Sequence, residues 1–352
     1  MNKKTKVLFI HLYNNFTGST NILFNIIGNI NDRFECYLVT DKGAEGFLSK
    51  LAINYDCYDK TMVSNRLFKW LIHQSKLFFK VLKHRDCDVI YCNTMYSVGA
   101  GIAGYLCRKK VIYHIHEVSV TPKLLKYLLI FVINKTATKN IVVSDFLKKE
   151  IYWLKNTQII YNAVGNAFFN NLLPKTSTDK FTILMLSSLQ KGKGIEMFIK
   201  LADELPQCHF ELVVSVSEDV LQDYLHKKNL STNLHVFSVQ KNVHPFYNRA
   251  KLLLNLSNPD IWIETFGMTI LEAMHYSIPA IVPNVGGPMD LIEDGVNGYC
   301  IDVRNKAELI AHITKIATDE NLYNRLSLNA LTKASNYNIA TMIESVESIL
   351  EN

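Results

Sequence analysis

The sequence predicts an α/β protein built from two doubly wound domains. Short apolar runs alternate with helix-like segments along the whole chain, as is typical of βαβ units in a mostly parallel sheet. A polar, irregular stretch at 166–180 interrupts this alternation, which then starts again. At 352 residues the chain has room for two domains with substantial cores. Two such sheets imply a cleft, and ligands bind where the carboxyl ends of parallel strands meet.

Twelve apolar runs carry the strand prediction, six on each side of the stretch at 166–180. The predicted strands of the first domain, 1–165, are 6–12, 35–40, 89–92, 111–115, 140–143 and 158–161. Those of the second domain, 178–335, are 182–186, 209–214, 234–237, 252–256, 280–282 and 299–301. The last segment, 337–350, has the spacing of an amphipathic helix.

The composition is that of a globular protein, with 48% hydrophobic and 20% charged residues. Seven scattered cysteines without a CxxC pair argue against a disulfide framework and against a structural zinc site. The apolar run after the N-terminus, 7–12, is too short for a secretory signal. The longest apolar run, 124–133, is too short to span a bilayer. We therefore expect a cytoplasmic protein with reduced thiols.

Charge is unevenly divided between the two halves. Residues 1–165 contain 23 lysines and arginines against 11 acids, whereas 166–352 contain 15 against 21. This asymmetry predicts that the first half faces an anionic partner, either a membrane surface or nucleic acid. Nucleic acid would explain the basic half but none of the motifs in the second half.

A basic stripe is predicted on a helix at 65–85. Its cations recur at three- and four-residue steps, and the segment contains no acid. The stripe consists of Arg66, Lys69, Lys76, Lys80 and Lys83, with His73. Such a helix, with Trp70 and Phe79 beside the stripe, suits the surface of an anionic bilayer. A core helix with a solvated basic edge remains the alternative.

The most informative segment is 260–302. Glu264 and Glu272 lie on either side of a Phe-Gly turn, with seven residues between them, and a double glycine at 286–287 precedes Pro288. A glycine turn that begins a helix leaves free N–H groups for phosphate, and carboxylates accept hydrogen bonds from sugar hydroxyls. Glu272 also fits a capping box with Thr269, which would give it a purely structural role.

This segment resembles the retaining glycosyltransferases of the GT-B fold, family 4 (glycosyl transferases group 1), and the likeness extends along essentially the whole chain. It implies two Rossmann-like domains, with a C-terminal helix at 336–352 that crosses back to the first. It also implies roles at the site. Glu264 would bond donor-sugar hydroxyls, Glu272 the ribose, and the remaining donor contacts would be the backbone of Phe266, Gly267 and Met268 with the hydroxyl of Thr269.

Lys193 lies just before a predicted helix, where its charge would add to the helix N-terminus as a clamp for a diphosphate. The family normally has Gly-Arg at the preceding strand end, where this chain has Ser187 and Ser188. Lys191 would compensate for the missing guanidinium. The alternative for both lysines is a solvated position in a turn.

Candidate residues in the first domain are fewer. The loop after the first strand lacks GxGxxG, which argues against a nicotinamide or flavin cofactor. The family has a Gly-rich loop here that borders the donor, and the resemblance implies that Gly18, the one glycine kept, is a donor-site residue. The alternative is an ordinary helix start capped by Thr17 or Ser19. His116 resembles the family histidine that contacts the donor sugar, whereas His114, on the same face, is interpreted as structural.

The resemblance implies a hexosyltransferase-like enzyme that moves a sugar from a nucleotide-diphosphate donor to a hydroxyl acceptor with retention. Its predicted catalytic residues are His116, Lys193 and Glu264. We expect no cofactor and no metal, and an acceptor glycan that is lipid-linked and belongs to a bacterial surface polysaccharide, reached from the inner face of the cytoplasmic membrane. The alternatives are a GT-B nucleotide-sugar 2-epimerase and a non-catalytic partner subunit.

Overall fold

A computed structural model describes residues 4–42, 45–59, 66–174, 180–226 and 228–351, apart from the side chain of Arg66. The chain divides into two compact units. Unit 1 comprises Met1–Ala163 and Ile339–Asn352, and unit 2 comprises Val164–Asn338. The predicted boundary at residue 178 lies outside the described residues.

Unit 1 contains a seven-stranded parallel sheet. Its strands are β1 (Lys6–Ile10), β2 (Glu35–Asp41), β3 (Asn54–Tyr58), β4 (Val89–Cys92), β5 (Lys110–Ile115), β6 (Lys139–Val142) and β7 (Thr157–Ile159). They lie in the order β3-β2-β1-β4-β5-β6-β7, so the direction of winding reverses between β1 and β4. The central strands are buried along their length because helices cover both faces.

Because of this reversal, the helices of unit 1 lie on both faces of the sheet. They are α1 (Gly18–Ile30), α2 (Arg66–Lys83), α3 (Val98–Leu106), α4 (Lys123–Thr136) and α5 (Asp145–Glu150), with a 3₁₀ turn at Phe47–Lys50. Since parallel crossovers are right-handed, α1 covers one face and α2, α3 and α4 cover the other. On that second face α3 packs between α2 and α4.

The C-terminal helix of the chain belongs to unit 1. This helix spans Ile339–Glu351 and packs against α1. Arg33, just after α1, forms ion pairs with Glu347 and with Glu351, the second at 2.6 Å. The apolar residues of the helix, such as Val346 and Leu350, are buried. Its amphipathic spacing therefore buries one face against the unit that begins the chain.

Unit 2 contains a six-stranded parallel sheet with the same reversal. Its strands are β8 (Thr182–Ser187), β9 (His209–Val214), β10 (Leu234–Phe237), β11 (Leu252–Leu254), β12 (Ala280–Pro283) and β13 (Gly298–Ile301). They lie in the order β10-β9-β8-β11-β12-β13, so the reversal falls between β8 and β11. A switch point of this kind opens a crevice at the carboxyl ends of the strands.

The helices of unit 2 differ widely in length. They are α6 (Asn166–Phe169), α7 (Ile195–Glu204), α8 (Glu218–Leu225), α9 (His244–Arg249), α10 (Met268–His275), α11 (Pro288–Leu291), α12 (Lys306–Thr318) and α13 (Glu320–Ala334), and the C-terminal helix of unit 1 is α14. The side chains of α7 and α12 fill the core on one side of the sheet, around Phe198 and Phe210. Within the described residues, each helix is too short or too polar to cross a lipid bilayer.

The predicted fold class is confirmed, with two corrections. Strand β3 was missed because it lies at the edge of its sheet and its residues are mostly exposed and polar, so it has no apolar run. The stretch at 166–180 was interpreted as a linker, but it begins with α6, whose Phe168 packs on the rings of His244 and Tyr276. The other predicted strands differ from the observed ones by at most two residues at either end.

The helix start at Gly194 should tolerate no larger residue. Its φ is +83°, and an added Cβ would lie 2.1 Å from the carbonyl oxygen of Leu256. We expect Gly194→Ala to lower the free energy of unfolding by at least about 2 kcal/mol, because backbone strain and overpacking add. Thermal unfolding followed by circular dichroism measures this.

Gly28→Ala is the matched control. Gly28 is exposed within α1, and an added Cβ would meet nothing within 4 Å. This substitution should stabilise the protein by about 0.5–1 kcal/mol, since alanine loses less backbone entropy on folding. Equal effects of the two substitutions would contradict the tight contact at Gly194.

Candidate active site

Three loops of unit 2 meet at the carboxyl ends of β8, β11 and β12. They span 188–194, 255–267 and 284–287, and they follow three neighbouring strands. Backbone hydrogen bonds join them directly, from Asn258 N to Gly192 O at 2.7 Å and from Gly287 N to Glu264 O at 2.8 Å. We call this arrangement the loop cluster. Every predicted site residue of unit 2, except those within α10, lies on these hydrogen-bonded loops.

Glycines allow the three loops to approach this closely. Besides Gly194, Gly287 contacts another loop so tightly that an added Cβ would lie 1.9 Å from Thr265 O. Gly267, at the start of α10, has a φ of +109°. A left-handed backbone of this kind is readily accessible only to glycine. The glycine at 267 is therefore required by its own conformation, and those at 194 and 287 by the approach of a second loop.

Lys193 and Glu264 form an ion pair within the loop cluster. Lys193 Nζ lies 2.9 Å from Glu264 Oε2, and the side chains are only 14% and 24% exposed. Lys193 Nζ also lies 4.4 Å from the centroid of the Trp262 ring. Partial burial strengthens the electrostatic interactions of the ammonium group, and the aromatic face stabilises its positive charge. The structure thus brings together two of the three predicted catalytic residues.

The N-terminus of α10 presents backbone donors next to this pair. The first intrahelical bond joins Ile270 N to Gly267 O at 3.0 Å, so the amides of Met268 and Thr269 precede the helical ladder. Phe266 is buried, with its ring 5.8 Å from that of Tyr337. Its side chain is therefore part of the core of unit 2. The helix dipole favours an anion at such an end.

Glu272 faces inward from α10 and accepts a hydrogen bond from Tyr247. Tyr247 Oη lies 2.6 Å from Glu272 Oε2 and 3.4 Å from Thr269 O. Burial raises the pKa of Glu272 to about 7, although the hydrogen bond from Tyr247 opposes the rise. The capping box with Thr269 is wrong, because the N-cap of α10 is Gly267 and its cap has no side-chain hydrogen bond.

Sequence reasoning did not assign a partner to Glu272. Tyr247 stacks on Tyr276 with ring centroids 5.7 Å apart, and His244 Nδ1 lies 2.8 Å from Tyr276 Oη. Phe168 closes this aromatic group from α6. The contact of Tyr247 with Glu272 depends on how α9 packs against α10, which no spacing in the sequence encodes.

The other predicted donor residues are more exposed. Lys191 is exposed and lines a groove of about 580 Å³ with Gln190, Glu196 and Tyr224. Neither Lys193 nor Glu264 lines that groove. Gly18 is the first residue of α1 in unit 1, and it is exposed too. Thr17 occupies the N-cap position of α1, but its hydroxyl bonds to Asn15 Oδ1 at 2.6 Å instead of capping the helix.

In unit 1 a polar network lies at the reversal between β1 and β4. Asn93, which is fully buried, follows β4 and connects two histidines. Its Nδ2 lies 3.2 Å from His11 Nδ1 and 3.1 Å from Ser19 O, and its Oδ1 lies 3.1 Å from His116 Nε2. His11 Nε2 continues the network to Thr20 Oγ1 at 3.0 Å.

This network fixes the protonation of both rings. Ser19 O can only accept, so Asn93 Nδ2 must face it, and Asn93 Oδ1 must accept from His116 Nε2–H. His116 therefore keeps a lone pair on Nδ1. Burial, with His114 and His11 nearby, lowers its pKa well below the usual value, and burial lowers that of His11 to about 4. Both rings are neutral near pH 7, so His116 can accept a hydrogen bond at Nδ1 but has no proton to give there.

The neighbours of His116 have internal partners. His114 Nδ1 lies 2.9 Å from Tyr91 Oη, and burial lowers the pKa of His114 to about 3. Glu117 accepts a hydrogen bond from Thr94 and another from Met95 N at 3.3 Å. Ser144 accepts a hydrogen bond from Leu147 N at 3.1 Å and caps α5. These three residues stabilise the strand ends.

Among the described residues, side chains close enough to share a cation occur at His84, Asp86 and Cys87. They lie between α2 and β4, at the amino ends of the strands, whereas the Asn93 network lies at the carboxyl ends. His84 Nε2 already lies 2.9 Å from Asp56 Oδ2, and Asp86 pairs with Lys6 at 2.7 Å. The group therefore belongs to the surface ion pairs of unit 1, and metal independence stays a prediction.

Two family models match this chain. The model of the glycosyl transferases group 1 matches residues 173–333, and that of glycosyltransferase family 4 matches residues 16–165. The chain has the same fold as HepE from Anabaena, solved in complex with UDP and glucose, with a TM-score of 0.82 and 21% identity. The match covers 99% of this chain and 100% of that one.

Curated relatives match over shorter stretches. A sucrose synthase from Melioribacter roseus is 24% identical over 241 residues, which are 58% of this chain but only 30% of that enzyme. An alpha-monoglucosyldiacylglycerol synthase from Acholeplasma laidlawii is 27% identical over 179 residues, which are 49% of this chain and 43% of that one. The two family models together span both units. The chain belongs to the group 1, family 4 glycosyltransferases and has the GT-B fold.

The raised pKa of Glu272 predicts a pH-dependent stability. Between about pH 4.5 and about pH 7 the folded chain holds this proton more tightly than the unfolded chain, so the free energy of unfolding falls as the pH rises through that window. Glu272→Gln cannot titrate and still accepts from Tyr247. We compare the free energy of unfolding of the variant with that of the wild type. The difference should shift in favour of the variant by about 1–3 kcal/mol as the pH rises from about 5 to about 8.

Chemical unfolding of both proteins in matched buffers gives this difference. The gain should level off above about pH 7, where Glu272 is ionised in both the folded and the unfolded state. A difference between the variant and the wild type that does not change with pH would mean that Glu272 titrates normally in the folded protein.

Proposed function

We propose that this family 4 glycosyltransferase moves a sugar from a nucleoside diphosphate donor to a hydroxyl acceptor, with retention at the anomeric carbon. The observation that carries the proposal is the ion pair of Lys193 and Glu264 beside the N-terminus of α10. This arrangement combines a cation and free amides for a diphosphate with a carboxylate for sugar hydroxyls. The same pattern matches the family segment at those positions.

The donor would bind with its diphosphate at Lys193 and at the amides from Phe266 to Thr269. Its ribose hydroxyls would bond to Glu272, which Tyr247 holds in place. HepE was solved with UDP and glucose, which makes UDP the first nucleotide to test. Lys191 would approach the diphosphate from its exposed loop and replace the arginine that the family has before Lys193.

Catalysis would depend on stabilising the charge that develops on the leaving diphosphate. Lys193 and the dipole of α10 supply fixed positive charge for it. Glu264 keeps Lys193 in place before the donor binds. After binding, Glu264 would accept hydrogen bonds from the hydroxyls of the donor sugar. His116, as a neutral acceptor, would take a hydrogen bond from a sugar hydroxyl. In this scheme the leaving phosphate itself accepts the proton of the acceptor hydroxyl on the same face, and neither a metal ion nor a covalent sugar–enzyme intermediate is required.

The acceptor is proposed to be a lipid-linked glycan of a bacterial surface polysaccharide. The strongly basic first half supports a partner at an anionic membrane. One relative, from Acholeplasma laidlawii, is named as a synthase of a glycolipid. On this proposal the enzyme acts as a peripheral protein at the inner face of the cytoplasmic membrane.

A non-catalytic partner subunit is the second candidate function. The observation that favours it is the loss of the family's Gly-Arg, since Ser187 ends β8 here and Ser188 follows it. An intact Lys193–Glu264 pair argues against it. The 2-epimerase reading would require a nucleotide sugar but no acceptor. Donor binding separates the partner subunit from the two enzymes, and acceptor dependence separates the transferase from the epimerase.

Nucleotide binding should raise the thermal stability of the protein. We expect a shift with one of UDP, GDP, ADP, CMP or dTDP, because a ligand that binds only the folded state stabilises it by mass action. The shift should persist in EDTA. Glu272→Ala should remove most of it, since the ribose would lose its partner. Differential scanning fluorimetry with and without each nucleotide measures the shift.

Glu293→Ala is the matched control, because Glu293 is an exposed acid in the same unit. This variant should show the same shift as the wild type. A folded wild-type protein that responds to none of the nucleotides would refute donor binding and favour the partner subunit. A shift that EDTA abolishes would refute metal independence alone.

A further inference from the structure

The exposed face of α4 is apolar. Four of its six exposed positions are large apolar or aromatic residues, and lysines occupy the first and the last. The four are Leu124 (79% exposed), Tyr127 (56%), Leu128 (51%) and Phe131 (60%). Surface helices normally put polar residues toward water and keep their apolar stripe for the core. Here the core side has its own apolar residues, among them Leu129 and Ile133, so this second apolar face lies outside the core of unit 1.

The neighbouring helices extend this apolar surface. On α2 the exposed residues include Leu67, Phe68, Leu71 and Phe79, each at least 46% exposed. At the end of α3, Tyr105 and Leu106 are 58% and 63% exposed. The three helices lie side by side on one face of the sheet, with α3 in the middle. We call these exposed residues of α2, α3 and α4 the outer surface. Exposed apolar residues gathered in this number on one face of a protein indicate an interaction site.

Three of the four lysines in the predicted basic stripe have partners within unit 1. Lys80, Lys83 and His84 all bond to Asp56, and Lys76 Nζ donates to Asp59 O at 2.7 Å. Although burial alone would raise the pKa of Asp56, these hydrogen bonds lower it to about 2. Among the residues that the structure describes on α2, the exposed face is therefore mainly apolar, and the paired cations lie along its edge.

The charge around the outer surface is nevertheless strongly positive. Residues 56–144, which include Asp56 and Asp59, contain 14 lysines and arginines against five acids. Each of the other three acids also has a partner. Asp86 pairs with Lys6, Asp88 accepts from Lys6 N at 2.9 Å, and Glu117 is held by Thr94. The partner of the outer surface must therefore be both apolar and anionic.

A basic cleft adjoins the apolar face of α4. It has a volume of about 530 Å³ and lies between the end of α3 and the end of α4. Its lining includes Tyr105 and Leu106 from the outer surface, together with the cations Arg108, Lys109 and Lys135. Arg108 and Lys135 are exposed. Guanidinium and ammonium groups of this kind bind phosphate. The cleft is therefore suited to an anionic head group whose acyl chains contact α4.

We infer that the outer surface docks on an anionic lipid bilayer, with α4 lying in the interface and lipid phosphates in the basic cleft. With 14 residues, α4 is about 21 Å long, too short to cross the hydrocarbon core but suited to lying in its boundary. Tyr127 packs against Trp153, with ring centroids 5.8 Å apart, and Tyr152 is 78% exposed. Tyrosine and tryptophan are enriched at this depth of a membrane. A second copy of the chain is disfavoured as the partner, because two equally basic surfaces would repel each other.

The inference deepens the proposed function, since it names the surface that would bring the enzyme to a lipid-linked acceptor. Its test needs neither donor nor acceptor, so docking and transfer can fail separately.

The purified full chain is floated with vesicles of phosphatidylcholine alone and of phosphatidylcholine with phosphatidylglycerol. We expect binding to the anionic vesicles only. Leu124→Gln with Phe131→Gln should weaken that binding about tenfold or more, because two inserted side chains are lost.

Leu328→Gln with Leu331→Gln is the matched control. These leucines are 65% and 41% exposed on α13 of unit 2, and binding should not change. Arg108→Gln with Lys135→Gln should remove the preference for anionic vesicles, and binding of the wild type should fall with salt. Inorganic phosphate should displace the protein no better than chloride of equal ionic strength.

Several results would overturn the inference. These are absence of wild-type binding to either kind of vesicle, unchanged binding of the Leu124/Phe131 variant, and selective displacement by phosphate, which would indicate a site for free phosphate. Light scattering after size exclusion gives the last test. A wild-type dimer that becomes a monomer in the Leu124/Phe131 variant, without vesicle binding, would make the outer surface an interface between copies of the chain.

Discussion

The candidate site depends on the close approach of two backbone segments, Gly194 against the carbonyl of Leu256. This contact fixes the loop after β8 to the loop after β11 at the reversal of strand order. A second contact of the same kind, Gly287 against Thr265, adds the loop after β12. With the three loops held in this way, Lys193 and Glu264 must meet, and α10 must begin beside them. Side chains at either glycine would separate the loops and disperse the charges.

The two units use the same topology for different chemistry. In unit 2 the switch point holds an ion pair and a helix N-terminus, which suit an anionic ligand. In unit 1 the switch point holds neutral histidines joined by Asn93. Burial keeps His11 and His116 uncharged, so this network provides hydrogen-bond acceptors and donors without net charge. More than half of the lysines and arginines in residues 1–165 lie instead between 61 and 144, the part of the chain that contains α2, α3 and α4.

Much of this fold was predictable because buried parallel strands leave apolar runs in the sequence. Strand β3 left none, since it is a polar edge strand, and α6 was hidden because its packing on Tyr276 is tertiary. Glu264, Lys193 and the start of α10 could be located from glycine turns and charge. The contact of Tyr247 with Glu272, the amide of Asn93 and the pairing of Lys80 and Lys83 with Asp56 could not, because each joins residues distant in sequence whose distance only the folded chain sets.

The central claim is that Lys193 clamps the diphosphate of the donor. Calorimetric titration with UDP of the wild type, of Lys193→Gln and of Lys200→Gln tests it most directly, because Lys200 is an exposed lysine farther along α7. A partly buried charge-assisted hydrogen bond is worth about 1.5–3 kcal/mol, which corresponds to a loss of about tenfold or more in affinity for Lys193→Gln. Lys200→Gln should bind UDP as the wild type does. Wild-type affinity of Lys193→Gln for UDP would contradict the account.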